Sequence, residues 1–575
     1  MKRKMSSFLA VLVITAAISA CQEFNELIPL GANSKKKSNT LVKEIATGSP
    51  IKGANGINFG PDGNLYIGAV NSQEIIVMNS QNGKILNRLG PNEGVTTPDD
   101  LAFGPDGSLY WTDIFTGFVK RRNPAGVVTE QFVAPGVNPI TFSEDGRLFV
   151  GLCFLGDGLY ELDPDFNDPP RPIIVAAEEN FFFPLAFFNA FDFGPDGKLY
   201  GPQFAGGKVI RVNVGGPGTP PSTKPFEDGT AEIVSEGFTV PVAAKFDSKG
   251  VLHVLDQSGE VFKVNTQTGE KTLLVKIQPD LDNLAFDSKG SLFISNAGYG
   301  SIVEILPSGQ PRTVSGAGMI GPMGLAVLPG ANNQDALFVA DLFRLRQFNG
   351  LTGKEEMDYK GDLLGDPDNN LTTPFTLSAD GENLIVSSWF SNLVQVWNPQ
   401  TDKVLQAFEI PSIPIDAIRF KDDIAVSALF AGGVVRASDQ SPIFPGGTLL
   451  APSGLATDGE TLWAADFATG TIWQLGPDNI PVALATGFKG PEGLAWDKEG
   501  GLLVVESEAS RLSRVDLATG VVTTVADGLK LSAAPINLEN LVTPTYWFDG
   551  VAVGQSGDIY VSGGGKNVIY RISKY

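Results

Sequence analysis

Apolar and polar positions alternate in short runs along most of the chain, and one phrase keeps returning. It is two or three apolar residues, a tight turn carrying Asp or Gly, then an apolar-aromatic run. The copies are INFGPDGNLYIG from Ile57, LAFGPDGSLYWT from Leu101, ITFSEDGRLFVG from Ile140, FDFGPDGKLYGP from Phe191, AKFDSKGVLHVL from Ala244 and LAFDSKGSLFIS from Leu284. Looser copies start at Leu325, Thr376, Ile418, Leu455, Leu494 and Val551, which makes twelve, with starts 37 to 57 residues apart. Alternation with period two marks strands, and the Asp-Gly and Lys-Gly pairs supply the positive φ that short hairpins need. Two more strands follow most copies, as in EIIVMNSQNGKILNRL from Glu74, where Asn-Gly turns the chain again. Four short antiparallel strands in a repeat of roughly 40–45 residues predict a propeller blade. Helical periodicity is nowhere sustained.

Competing all-β arrangements fit less well. A sandwich array needs a linker about every hundred residues, and a β-helix repeat is far shorter. Propellers hold about four to eight blades, so twelve blades predict two tandem six-bladed rings. The first six copies resemble one another more than the last six, which puts the first ring at 41–318 and the second at 319–575. The segment Leu41–Ile45 is an orphan strand, and rings remove lone edges by borrowing strands. The expectation is that Leu41–Ile45 completes the sixth blade and Pro311–Val314 the twelfth.

The chain opens with Lys2, Arg3 and Lys4, then an apolar run from Phe8 to Ile18, then Ile18-Ser19-Ala20-Cys21. A basic start, a short apolar core and small residues before a cut site predict a signal peptide over 1–20. The tetrapeptide resembles a bacterial lipobox, which implies lipidation of Cys21. Residues 21–40 then read as a polar tether. The expected location is the cell envelope, anchored in the membrane through Cys21. Gln22 rather than Asp after the Cys points to the outer membrane in a Gram-negative host. With Cys21 lipidated, Cys153 has no partner for a disulfide, and its apolar surroundings predict a buried small hydrophobe. The formal charge of −22 becomes −25 once the leader is removed, and so acidic a body excludes nucleic acid as a partner.

The hairpin phrase resembles NHL-type propellers and the gluconolactonase/regucalcin-like superfamily, over residues 41–575. The resemblance implies a divalent metal, Ca²⁺ above all, at a channel mouth, held by Asn, Asp and Glu from loops entering the innermost strands. It also implies lactone or ester hydrolysis. The residue four before the anchor of each innermost strand is Asn55, Asp99, Asn138, Asn189, Val242 and Asp282 in the first ring. Five of these six are Asn or Asp, oxygen donors of the kind hard cations take; backbone-bonded loop residues would give the same composition. In the second ring the offset gives Met323, Thr373, Asp416, Ser453, Glu492 and Asp549. Of these, Asp416, Glu492 and Asp549 are the second-ring metal candidates. The phrase Gly490-Pro491-Glu492-Gly493 looks like the Glu-bearing opening of gluconolactonase-like chains, displaced here to the eleventh blade.

Other signals frame the chemistry. Phe115, Phe154, Phe204, Phe343, Phe390, Phe430 and Phe467 follow second strands and form either packing anchors or an apolar rim. Phe181–Phe183 with Phe187 and Phe188 form either a lid or a buried insert. The single His, His253, lies mid-strand and reads as structural, which leaves no basis for a catalytic triad. As an enzyme the chain would rely on its metal to polarise a carbonyl, with Asp99 or Asp282 taking a proton from water. The competing reading is a non-catalytic scaffold binding an envelope protein or glycan.

Overall fold

The computed structural model describes residues 40–176, 184–361, 370–476, 480–532 and 548–574. The leader, Cys21, the tether up to residue 39 and Phe181–Phe183 lie outside them. The chain is all-β, with twelve four-stranded antiparallel sheets, one for each copy of the hairpin phrase. The first blade shows the pattern: Ile57–Phe59, Leu65–Ala69, Glu74–Met78 and Ile85–Leu89 lie side by side in chain order. Its Pro-Asp-Gly turn is built as the residues require. Gly63 takes φ +75°, its N–H donates to Gly60 C=O at 2.9 Å, and Asp62 Oδ1 accepts the Asn64 N–H at 3.1 Å.

Two compact units divide the chain. One is Ser49–Ile320. The other runs from Gly321 onward and takes in the segment that ends at Gly48. Within each unit the inner strands of six blades pack in succession and the last packs on the first, so both are closed six-bladed propellers.

Ring closure differs from the expectation. Thr40–Thr47 pairs with Val568–Lys574 and is the outermost strand of the twelfth blade. Pro311–Ser315 pairs with Ser301–Ile305 and finishes the sixth. The expected exchange is thus reversed, and the first propeller borrows no strand. The reason is local: Leu306 N–H reaches Gln310 C=O at 3.0 Å with Gly309 at φ +82°, a turn that folds Pro311 straight back. So short a loop costs little closure entropy. The second propeller alone is sealed by a strand from the far end of the chain, and Thr40 Oγ1 donates to Val525 C=O at 2.7 Å to hold it there.

The first propeller's closure is visible in its aromatic residues. Tyr66 meets Phe103, Tyr110 meets Phe142, Phe149 meets Phe193, Tyr200 meets Phe246, His253 meets Phe286, and Phe293 meets Phe59. Each pair is edge-to-face with ring centroids 4.9–5.1 Å apart. Together they step once around all six blades. Such contacts contribute about 0.5–1.5 kcal/mol each beyond burial. This ladder explains the aromatic positions of the repeated phrase, and it gives His253 a place. Tyr66 and Tyr200 donate to the turn residues Asp62 and Asp196, and His253 Nε2 sits 3.3 Å from Asp247 Oδ2 in the same role. Burial lowers the His253 pKa, as expected of a packing residue.

Candidate functional site

The inner strands of the first propeller begin at one mouth of the channel, and several begin with a bulge. Register slips between Pro98 and Leu101, between Val137 and Ile140, and between Leu281 and Leu284. A bulge breaks the two-residue alternation, so consecutive residues contribute to the channel. In the second and sixth blades these are Asp99-Asp100 and Asp282-Asn283.

Asp99 and Asp282 face one another electrostatically. Both are partly exposed, and no described residue donates a hydrogen bond to either carboxylate. Desolvation first, then the charge of Asp282 and of Asp100, pushes Asp99 well above the carboxylate range. Desolvation and then Asp100 push Asp282 up as well, with Lys245 opposing. Two desolvated like charges in one space disfavour ionisation of both, and a cation between them would relieve that.

One layer deeper, Asn283 Nδ2 donates to Asp100 Oδ1 at 3.1 Å. Asp100 also accepts Leu101 N–H at 3.0 Å and, from the third blade, Ile140 N–H at 3.2 Å. The charge of Lys245 on the fifth blade opposes the burial that raises Asp100, Asp192 and Asp282.

The amide candidates separate. Asn138 Nδ2 donates to Asn189 Oδ1 at 3.2 Å, and that oxygen also accepts Ala190 N–H at 3.0 Å. Asn189 is therefore occupied by its own backbone, while Asn138 Oδ1 is buried without a partner. No described residue hydrogen-bonds the Asn55 side chain. Val242 is buried and apolar. Among the described residues, no three His, Cys, Asp or Glu side chains gather to hold an ion by themselves. A cation here would take the two carboxylates together with amide and other oxygens. Asp99, Asp282, Asn138 Oδ1 and Asn55 fit that donor set: hard oxygens carrying two negative charges.

An aromatic cluster lies on the third and fourth blades. Cys153 is buried, and burial with the charges of Asp99, Asp157 and Asp282 raises its thiol pKa. The next residue, Phe154, meets Phe204 edge-to-face with ring centroids 5.0 Å apart, and its centroid lies 5.6 Å from that of Phe187. Asp157 holds the loop bearing Phe187 by accepting three successive N–H groups, from Leu185 at 2.6 Å, Ala186 at 3.0 Å and Phe187 at 3.2 Å. Phe188 turns inward and is fully buried. Phe115, Phe343 and Phe390 are half-buried, Phe467 is buried and Phe430 is exposed.

The second propeller's candidates do not form one site. Asp416 sits one register position along, matching Asp100 rather than Asp99. Its N–H bonds Ser427 Oγ as that of Asp100 bonds Thr112, and its carboxylate takes Ala417 N–H and Leu455 N–H at 3.0 and 2.9 Å. The hairpin of its blade is tight, turning between Phe420 and Asp423, which displaces the count from the anchor. Burial pushes Asp416 up to about 7. Glu492 and Asp549 do meet: Asp549 N–H donates to Glu492 Oε2 at 2.7 Å, and Glu492 Oε1 is buried without a partner. Burial, then Asp549, raises Glu492 well above its usual range. Asp549 itself accepts Ser532 N–H at 2.5 Å and Gly564 N–H at 2.8 Å.

Asp100, Asn283, Asp192 and Lys245 escape a count from the anchor residue. A signal for two of them existed: only the second and sixth copies carry a polar doublet before Leu-Ala-Phe.

No protein-family model and no curated protein matches the chain. Among solved structures it is similar to a GH74 xyloglucanase from Xanthomonas campestris, at 13% identity and a TM-score of 0.45, over 92% of this chain and 99% of that one. It is similar to a gluconolactonase from Xanthomonas campestris, at 14% identity and TM-score 0.35, over 44% and 86%. It is also similar to virginiamycin B lyase from Staphylococcus aureus, at 14% and 0.35, over 64% and 98%. The propeller assignment rests on the twelve sheets and their register, not on these likenesses.

Proposed function

We propose that this chain is an exported propeller protein, anchored through lipidated Cys21, whose first propeller binds a divalent cation of the Ca²⁺ class at its channel mouth. Asp99 and Asp282 are the charged ligands, and Asn55 and Asn138 supply amide oxygens. The observation that carries this reading is a pair of carboxylates, Asp99 and Asp282, each next in sequence to one end of the Asp100–Asn283 hydrogen bond, to which no described residue donates a hydrogen bond. Elsewhere in the ring, buried acids such as Asp100 and Asp157 have backbone donors. Asn189, bonded to its own backbone, contributes by orienting Asn138.

A hydrolytic role is favoured by the cluster of Phe154, Phe187 and Phe204 on the third and fourth blades, since pockets join apolar walls to a few polar groups. A bound divalent ion would polarise a lactone or ester carbonyl. The protein's own part is to hold the substrate's apolar side against the phenylalanines. In the hydrolytic reading one of Asp99 and Asp282 holds the ion and the other takes a proton from water. The scaffold reading uses the same cation structurally, with an envelope protein or glycan as partner.

The test is isothermal titration of Ca²⁺ into the chain from residue 21 carrying Cys21→Ser, beside Asp99→Asn and Asp282→Asn. Binding to the parent, lost by at least tenfold in either variant, supports the site. Equal affinities in all three proteins overturn it. A lactone and ester screen on the loaded protein then separates hydrolase from scaffold.

A further inference from the structure

The second and sixth blades are not neighbours; the first blade stands between them. Yet Asn283 of the sixth reaches Asp100 of the second with a 3.1 Å hydrogen bond. The first blade lets them pass because it carries Gly56 there. A Cβ on Gly56 would lie 2.4 Å from Asp100 Oδ1, 2.5 Å from its Cα and 2.6 Å from Asp99 C=O. Two of those three atoms are backbone, so they cannot swing aside. Both ends of the bond are braced. Asp100 N–H donates to Thr112 Oγ1 at 3.0 Å and Asn283 N–H to Ser295 Oγ at 3.0 Å. Leu284 N–H donates to Asn283 Oδ1 at 2.8 Å, which fixes the amide, and Ser295 Oγ donates to Asn55 C=O at 2.6 Å. Asp99 and Asp282 are the residues immediately before this pair.

We propose that the Asp100–Asn283 bond, passing Gly56, is a positioning clamp that sets the separation of Asp99 and Asp282 and with it the size of cation the mouth accepts. The inference rests on the cation site proposed above. Selection among Mg²⁺, Ca²⁺ and Sr²⁺ depends on cavity size and rigidity, and a hydrogen bond held between braced strands fixes both. Asp100 and Asn283 touch no ion in this scheme; they act through their neighbours.

The test measures affinities for Mg²⁺, Ca²⁺ and Sr²⁺ by calorimetry on the chain from residue 21 with Cys21→Ser, for the parent, Asp99→Asn, Asn283→Ala, Gly56→Ala and Tyr200→Phe. Tyr200, on the second strand of the fourth blade, bonds the hairpin-turn residue Asp196 and controls for a general loss of stability. Releasing the clamp should favour the larger ion, raising the Sr²⁺/Ca²⁺ affinity ratio at least tenfold in Asn283→Ala and in Gly56→Ala, with no change in Tyr200→Phe. If Gly56→Ala does not fold, Asn283→Ala decides alone. Weaker binding of all three ions with an unchanged ratio overturns the clamp while leaving the site. A parent that binds none of the ions, or an Asp99→Asn variant that binds like the parent, overturns the site and the clamp with it.

Discussion

Asp157 offers a sharp test of the electrostatics beside the mouth. Its carboxylate takes three backbone N–H groups from Leu185, Ala186 and Phe187, two of which belong to residues at positive φ, +50° and +62°. Three such bonds would ordinarily lower a carboxyl pKa. Burial wins, and Asp157 is pushed up to about 6 from 3.8. The sign follows from which state holds the proton. Below pH 3.8 Asp157 is protonated folded and unfolded, and the full contribution is present. Between 3.8 and about 6 the unfolded chain has released its proton and the folded chain has not, so stability falls as pH rises. Above about 6 the loss is complete, at about 3 kcal/mol. Asp157→Asn cannot titrate, and the parent-minus-variant difference cancels every other group. Urea unfolding of both proteins from pH 3.5 to 7, read by hydrogen–deuterium exchange of first-propeller peptides, should show the parent losing about 3 kcal/mol relative to the variant. A difference that is flat with pH, or that grows in the parent's favour, would refute the reasoning.

Three further outcomes are expected. Removing Thr40–Thr47 strips seven cross-strand Cα pairs from the twelfth blade, so the second propeller should lose about 3 kcal/mol or more, with first-propeller exchange unchanged. Equal losses in both would contradict the closure described. Glu492→Gln should cost under about 1 kcal/mol, because burial and the charge of Asp549 disfavour the ionised carboxylate there, whereas Asp549→Asn turns an amide donor toward Ser532 and Gly564 and should cost about 2 kcal/mol or more in urea titrations. His253→Tyr should stay within about 1 kcal/mol of the parent, while His253→Ala breaks the aromatic ladder and should cost about 2–4 kcal/mol in thermal unfolding.

The architecture was legible because each blade announces itself. An alternating strand and a turn that takes positive φ at residues such as Gly63 occur twelve times, with an aromatic ring three residues after the turn glycine throughout the first propeller, and each copy became one sheet. Strand borrowing was not legible. Leu41–Ile45 and Pro311–Val314 are both short and mixed, and the choice between them turns on the loop at Gly309, whose geometry alternation does not encode. The mouth was half legible. Asp99 and Asp282 come from counting back from the anchor, and the residues after them, Asp100 and Asn283, are joined by a hydrogen bond. Asp100 and Asn283 were missed because strict alternation sends consecutive side chains to opposite faces, and only the bulges at Pro98 and Leu281 bring both inward. The same counting placed Asp416 one position wrong, since its tight hairpin moves the anchor. Lys245 was not legible, because the acids its charge acts on, Asp100, Asp192 and Asp282, lie on three other blades.

The most direct measurement is the metal content of the purified chain. After exchange into calcium and removal of free ion, elemental mass spectrometry should find one Ca²⁺ per chain, and none in the Asp99→Asn, Asp282→Asn double variant of equal thermal stability. A parent without bound Ca²⁺, or a double variant that retains it, would contradict a cation site at the first channel mouth.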